Sequence, residues 1–365
     1  MSNIFNNINE IPVKTWSWLH VNDANLKQDF PPVTAYKNNP QAQTIPAGIT
    51  LSSIEQPGTY PFKDMPTPKV KQELLSYMRE NRNNGYFIQI AEGEKVVEPI
   101  LLSYALDKQS PVLTDDIFIL AKKGSKATIL IHYVSEETET FHHSGITRVR
   151  GEAGSELTLI KVQMLSDQSS HVDHVAVEVD ENAKVQVLLA ELGSGESITN
   201  CNMDLNGKNA EGLIDSIYLG DKERTLDINY RVTHFQKNTI SNIHSRGVMA
   251  DKCEKVFRGT IDFVSGASGS KGSEDEYTVL LSPDIKNIST PLLLCGEDDV
   301  EGAHAVSAGK LDKNMLFYLM NRGLSEADAK KVMVEASFEP VLEKIADATL
   351  QEQIFSYVRR RLSHV

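Results

Sequence analysis

From Gly85 to about Val300 apolar and polar residues alternate with a period of two, as in YFIQIAEG, DIFILAKKGSKATILIHYV, GSELTLIKVQML, HVAVEVDENAKVQVLLAEL and GLIDSIYLG. Alternate side chains of an extended chain point to opposite faces, so this pattern predicts a long run of short strands. A turn-then-strand unit recurs as GSKATILI at Gly124, GSELTLIK at Gly154, ENAKVQVLL at Glu181 and GKNAEGLID at Gly207, with spacings of 30, 27 and 26 residues. Repeats of this length point to stacked β architecture: a solenoid, a propeller or a sandwich. A sandwich calls for tight hairpin turns, yet the only Asn-Gly dipeptides are Asn84-Gly85 and Asn206-Gly207. The pattern therefore favours a mainly β chain built on a parallel β-helix, whose coils each bury one strand face against the next.

The flanks read differently. Residues 1 to about 65 are rich in Pro, Asn and Gln, with prolines at 31, 32, 40, 46, 57 and 61, and predict extended segments and turns. Val70, Leu74, Leu75 and Met78 then fall at helical spacing, predicting one helix from about Pro68 to Asn81. After Gly309 helical periodicity returns: Asp312 is placed to cap LDKNMLFYLMNRG, Gly323 to end it, and Ser325 with Asp328 to open the next helix. Pro340 reads as the first turn of a third helix with Ile345, Leu350, Ile354, Phe355 and Val358 on one side. The expected division is an N-terminal mixed segment with one helix over 1–84, a β-helix core over 85–309 and a C-terminal helical domain over 310–365.

Composition narrows the partners. The 37 basic and 50 acidic residues give a formal net charge of −13, which disfavours a nucleic-acid backbone or an anionic membrane. The one basic run, Arg359 to Arg361, suits a helix C-terminus. Cys201, Cys253 and Cys295 are odd in number and far apart, which fits neither a disulfide framework nor a CxxC site. With no signal-like start and no apolar run approaching the ~18 residues of a membrane span, the expected compartment is the cytoplasm.

Candidate chemistry is sparse. His142 and His143 are consecutive on an expected strand edge and read as surface residues facing opposite ways. His171 and His174 would suit a metal pair on a helix, but the VAVEV that follows reads as strand. Cys253 reads as a small buried hydrophobe, and FVSGASGSKGSEDEYTVLLS as a flexible Gly/Ser loop without the order of a phosphate cradle. No Walker motif occurs, so ATP, if used, binds another subunit. Between residues 280 and 333 come a strand ending in LLLC, an acidic turn at Glu297, Asp298 and Asp299, and a small-residue segment that would leave His304 exposed. His304 is then either a polar turn residue or an interface imidazole near a metal.

The stretch DDVEGAHAVSAGKLDKNMLFYLMNRGLSEADA resembles the C-terminal signature of the SufB/SufD family, the paired scaffold subunits of the SUF iron–sulfur cluster assembly machine. The SRGV-D-FRG-I run from Ser245 to Ile261 and TWSWL near Thr15 are also similar to that family, so the resemblance spans most of the chain. It implies a right-handed parallel β-helix that pairs with a partner scaffold, and a helical domain over 310–365 that docks the ABC-type ATPase SufC. Aligned on Pro291 and His304, the chain has Ile285 and Ala305 where the SufB type has a cysteine and a glutamate, which makes it SufD-like. In that type the residue matching His304 faces the SufB cysteine where the cluster is built. Gly302 stands where many SufD members have a cysteine, which leaves Cys295 as the substitute metal ligand beside His304.

The expected function is a non-catalytic scaffold subunit, paired with a SufB-like chain or with a second copy of itself. A transient iron–sulfur cluster would be shared with the partner, a flavin on the complex would serve as reductant, and this chain would bind no ATP. The rival class is a carbohydrate-active β-helix enzyme using Asp298 and Asp299 as acid and base. Such enzymes line their groove with aromatic platforms, and aromatic residues are only 7% here.

Overall fold

The computed structural model describes residues 4–15, 17–28, 30–38, 40, 45–54, 65–136, 139–345 and 347–363. Trp16 of TWSWL, Pro57 and Pro61 lie outside them. In chain order the strands are β1 (Ile49–Ser53), β2 (Asn84–Ile90), β3 (Ile100–Leu106), β4 (Val112–Ala121), β5 (Lys126–Ser135), β6 (His142–Gly151), β7 (Glu156–Met164), β8 (Ser170–Val179) and β9 (Lys184–Glu191). They continue as β10 (Glu196–Leu205), β11 (Glu211–Gly220), β12 (Thr225–His234), β13 (Ile240–Met249), β14 (Glu254–Phe263), β15 (Ser270–Leu280), β16 (Lys286–Cys295) and β17 (Val300–Gly309). From β2 onward even-numbered strands form one parallel sheet and odd-numbered strands, starting at β3, form the other; β1 adds antiparallel to β2. This is a parallel β-solenoid of about eight turns, as the alternation predicted.

One coil contributes one strand to each sheet, and register pairs Lys126 with Glu156, Glu156 with Lys184 and Lys184 with Glu211, so successive coils are 30, 28 and 27 residues long, within one residue of the sequence spacings. The turn signature has a physical cause. Gly124, Gly154, Asn182, Asn209 and Asn238 all adopt positive φ at the same corner. There each N–H donates to the next coil, as in Gly124 to Ala153, Gly154 to Glu181 and Asn182 to Lys208. Only Gly and the short polar residues reach that conformation cheaply, which is why they mark the repeat.

Inward-facing positions fill the solenoid with one continuous core running from Ile88 and Leu102 through Val177 and Val187 to Ile261 and Phe263. The Gly/Ser-rich stretch after Phe263 is not a loop throughout: Gly266 and Gly269 turn the chain, and Ser270 onward is β15. Gly272 belongs in that strand because a Cβ there would come within 2.7 Å of the Ile261 side chain.

The flanking elements cover the outer faces. α1 (Gln72–Glu80) buries Leu74, Leu75 and Met78 with Phe5, Ile8 and Leu26 against Ile146, Val172 and Ile198 of the even sheet. On the odd sheet lie α3 (Glu326–Leu342) and α4 (Ala348–Arg361), while α2 (Lys313–Asn321) packs on α3. Asp312 caps α2, Gly323 ends its turn at φ +100°, and the Ser325 hydroxyl accepts from the Asp328 N–H to cap α3, as expected. The third helix begins later than Pro340 suggested. Pro340 lies inside α3, because Val334, Phe338, Val341 and Leu342 form one buried face across it against β11 and β13. The real start signal is Asp347, whose carboxylate accepts from the N–H groups of Thr349 and Leu350. No helix among the described residues is long and apolar enough to cross a membrane.

Candidate functional site

A solenoid must be capped at its ends, since its last coil has no neighbour to bury it. At the C-terminal end the last coil, β16 and β17, has no further strand on either sheet. Every residue of β17 from Glu301 to Ala308 is exposed, and Thr290 alone is buried in β16. His304 stands mid-strand in β17, paired in register with Glu274 of β15. It is therefore in a strand with its imidazole exposed, not in a turn.

Register also orders the side chains beneath it. Glu274 is 1% exposed, and neither carboxylate oxygen has a hydrogen-bond partner. Burial, with Glu276 and Asp275 adjacent, pushes its pKa up to about 8, so it is largely protonated at neutral pH. The neighbouring Glu276 is served: it accepts from Lys255 Nζ at 2.5 Å, Tyr218 Oη at 2.6 Å and Ser289 Oγ at 2.5 Å.

The glycines of the SRGV and FRG motifs make this arrangement possible. A Cβ at Gly247 would lie 2.0 Å from the Tyr218 ring, and one at Gly259 would lie 2.0 Å from Glu274 Oε1. Arg258, next to Gly259, points outward and donates to Asp227 and to the Val21 and Asp23 carbonyls.

The cysteines do not gather around His304. Cys201 and Cys253 are buried among apolar core residues, and burial pushes the Cys253 thiol up to about 11, where it is inert. Cys295 is exposed at the end of β16. His304 comes four residues after Val300, the first residue of β17 beyond the intervening corner, or roughly 13 Å of strand. Gly302 faces Leu293, whose side chain would be 2.8 Å from a Cβ there. Among the described residues no group of three or more His, Cys, Asp or Glu is placed to hold a metal ion. The acidic turn ties itself to the corner of the preceding coil: Glu297 accepts from the Gly266 N–H and Asp299 from Ser268 Oγ.

Sequence reading missed a second polar cluster deeper in the core. His142 and His143 do point to opposite faces, yet both are buried: His142 lies under the Phe30 ring, and His143 points inward. His143 Nε2 is 2.9 Å from Asp115 Oδ1, its Nδ1 is 2.8 Å from His171 Nδ1, and Tyr133 donates to Asp115 Oδ2. Lys161 and Asp173 form a buried pair at 2.6 Å, and Lys161 holds the Asp173 carboxyl below its ordinary range against the upward push of burial. The available signal was spacing: His143 and His171 stand one coil apart at the same strand parity.

A family model described as SUF system FeS cluster assembly, SufBD core domain, matches residues 104–337, more than half of the chain. The chain belongs to the SufBD family. Among relatives, the iron–sulfur cluster assembly protein SufD of Bacillus subtilis is 24% identical over 282 residues, 77% of this chain and 64% of that protein. SufD of Escherichia coli is 25% identical over 240 residues, 66% of this chain and 57% of that protein. A SufBD family protein of Mycobacterium leprae is 24% identical over 264 residues, 71% of this chain and 30% of that protein. The chain thus spans less than two thirds of the length of these relatives. The SufBD core covers most of the solenoid, including His304, and runs through α2 into α3, so the exposed terminal coil belongs to the family core of a SufD-like member.

Proposed function

We propose that this SufD-like chain is a non-catalytic scaffold subunit of a SUF-type assembly complex in the cytoplasm, and that its open terminal coil is where iron and sulfide meet. The observation that carries the reading is His304: an exposed imidazole in the middle of β17, the edge strand whose outer side has no partner strand. A SufB-like scaffold adding strands to β16 and β17 would complete the open coil and bring its own ligands to His304. Neutral imidazole is a suitable nitrogen donor to iron, so His304 would hold or orient the nascent cluster, which is cargo shared by both subunits. Cys295, at the rim of the same coil, would serve as a secondary thiolate donor. A flavin reductant would belong to the assembled complex.

A SufC-like ABC ATPase would dock on residues 310–365. Supporting this is α2, which has no buried residue and holds Phe317 at 67%, Tyr318 at 52% and Met315 at 49% exposure. A helix so apolar on its open side is a typical docking element. The nucleotide would bind the ATPase, consistent with the missing Walker motif.

The test is anaerobic reconstitution with iron and sulfide on the co-purified complex, following visible absorption. Colour in the complex and not on this chain alone, lost in His304→Ala while the subunits still co-purify, is the expected result. Cluster formation unchanged in His304→Ala would refute the assignment, and a stable complex of this chain with the ATPase alone would replace the heterodimer by a homodimer.

A further inference from the structure

Two carboxyl groups of β15 face the lumen beneath the open coil, and only one of them is provided with partners. Alternate residues of β15 point inward: a Cβ at Gly272 would meet the Ile261 side chain of the opposite sheet, and Glu274 Oε1 lies 2.0 Å from where a Cβ of Gly259 would stand. Glu276, next in that inward series, accepts from Lys255 Nζ, Tyr218 Oη and Ser289 Oγ. Glu274 is equally buried, and neither of its oxygens meets a donor.

The surroundings of Glu274 are built without donors. Across the lumen it lies over Gly259, which has no side chain, and the residue in register above Gly259 is Pro291, which has neither a polar side chain nor an N–H. Buried polar groups in native folds are nearly always paired, and an ionised carboxyl is the costliest to leave alone. A carboxyl placed in this way is one whose partner comes from outside the chain.

Above Glu274 stands His304. The two are in register on neighbouring strands, about 4.8 Å apart along the solenoid axis. They also face the same way. Gly302, two residues before His304, meets Leu293 as Gly272, two residues before Glu274, meets Ile261, and Leu293 is in register with Ile261. His304 thus repeats the Glu274 position one coil further on, in the coil that no strand follows.

We infer that Glu274 is a second ligand from this chain for ferrous iron, which is held between its carboxylate and the His304 imidazole at the mouth of the lumen. The inference rests on the proposed role of His304. A carboxylate oxygen with an imidazole nitrogen is a donor pair suited to a ferrous ion. The carboxyl releases its proton as the ion binds, so the lumen gains a paired charge and not a bare one. Glu276 keeps its own three donors and stays out of the site. Two ligands from this chain leave the other positions on the ion to water or to the partner scaffold, as cargo that must leave again requires.

The test is anaerobic titration of the co-purified complex with ferrous iron alone, counting bound iron after rapid desalting and reading its ligands by Mössbauer spectroscopy. One ferrous ion per copy of this chain is expected, bound at least tenfold more weakly in Glu274→Gln and in His304→Ala. Glu274→Gln preserves the size of the side chain, so the melting temperature without iron should stay unchanged, and Glu274→Asp, which keeps a carboxylate, should bind iron better than Glu274→Gln. In the unsubstituted complex ferrous iron should slow amide exchange in β17, a readout that needs no variant to fold. Iron bound as tightly in Glu274→Gln as in the unsubstituted complex, but weakly in His304→Ala, would overturn the role of Glu274 and leave that of His304. Iron bound equally well in His304→Ala, or exchange in β17 unchanged by iron, would overturn the shared site.

Discussion

His143 Nδ1 lies 2.8 Å from His171 Nδ1, one coil further along the solenoid and fully enclosed by it. Burial holds His171 well below the usual imidazole range, so it is neutral. A consistent proton assignment has His171 donating from Nδ1 to His143, His143 donating from Nε2 to Asp115, and Tyr133 donating to the other Asp115 oxygen. Asp115 is thus the acceptor on which the chain of donors ends. Asp115→Ala strands two buried donors and is expected to cost about 3 kcal/mol or more, read as a lower urea midpoint at unchanged m-value.

Acid should loosen the molecule before its exposed carboxylates protonate. Burial pushes His174 and His234 down to about 4, against an ordinary value of 6.5. The unfolded chain therefore binds their protons first as pH falls. The stability they contribute is present above pH 6.5 and is lost between pH 6.5 and 4, on the order of 3 kcal/mol for each residue. The melting temperature measured at steps across that window should fall, and His174→Gln or His234→Gln should flatten the slope.

Arg361 fastens the last helix to the solenoid. Its guanidinium donates to both oxygens of Asp221, at 2.9 Å and 2.5 Å, and to Asp167, whose carboxyl it and Lys222 hold low against burial. Asp221 is completely buried, so losing this partner leaves its charge to Arg224. Arg361→Ala is expected to cost about 3 kcal/mol and to raise amide exchange in α4 above that of the solenoid strands.

Gly247 is fixed by Tyr218. Because a methyl would meet the ring at 2.0 Å, Gly247→Ala should destabilise by about 2 kcal/mol or more, while Tyr218→Phe should cost less but leave Glu276 short of one donor. If the double variant Gly247→Ala, Tyr218→Ala is more stable to urea than Gly247→Ala alone, the clash is the cause.

The exposed α2 supplies a prediction for docking. Phe317→Asp should leave the melting temperature almost unchanged, since surface substitutions usually stay within about 0.5 kcal/mol. Capture of the SufC-like ATPase on immobilised protein should be lost. Undiminished capture would move the docking surface off α2.

Sequence alone determined the repeat and the caps of α2 and α3. Strand alternation is a local property, and the corner residues Gly124, Gly154 and Asn182 advertise their left-handed backbone through their own chemistry. Asp312, Gly323 and Ser325 mark helix ends for the same reason. His304 could be singled out from its neighbours in the chain. Tertiary structure decided what the chain buries and what it leaves open. His142 and His143 read as surface residues because an alternating pattern cannot show that the N-terminal segment covers one face and the solenoid interior encloses the other. Pro340 read as a helix start because its effect on the backbone is local, whereas the buried face that carries α3 through it exists only against β11 and β13. Glu274 beneath His304, Gly259 making room for Glu274, and Val21 held by Arg258 are related by coil stacking, which sets residues thirty, fifteen and more than two hundred positions apart side by side.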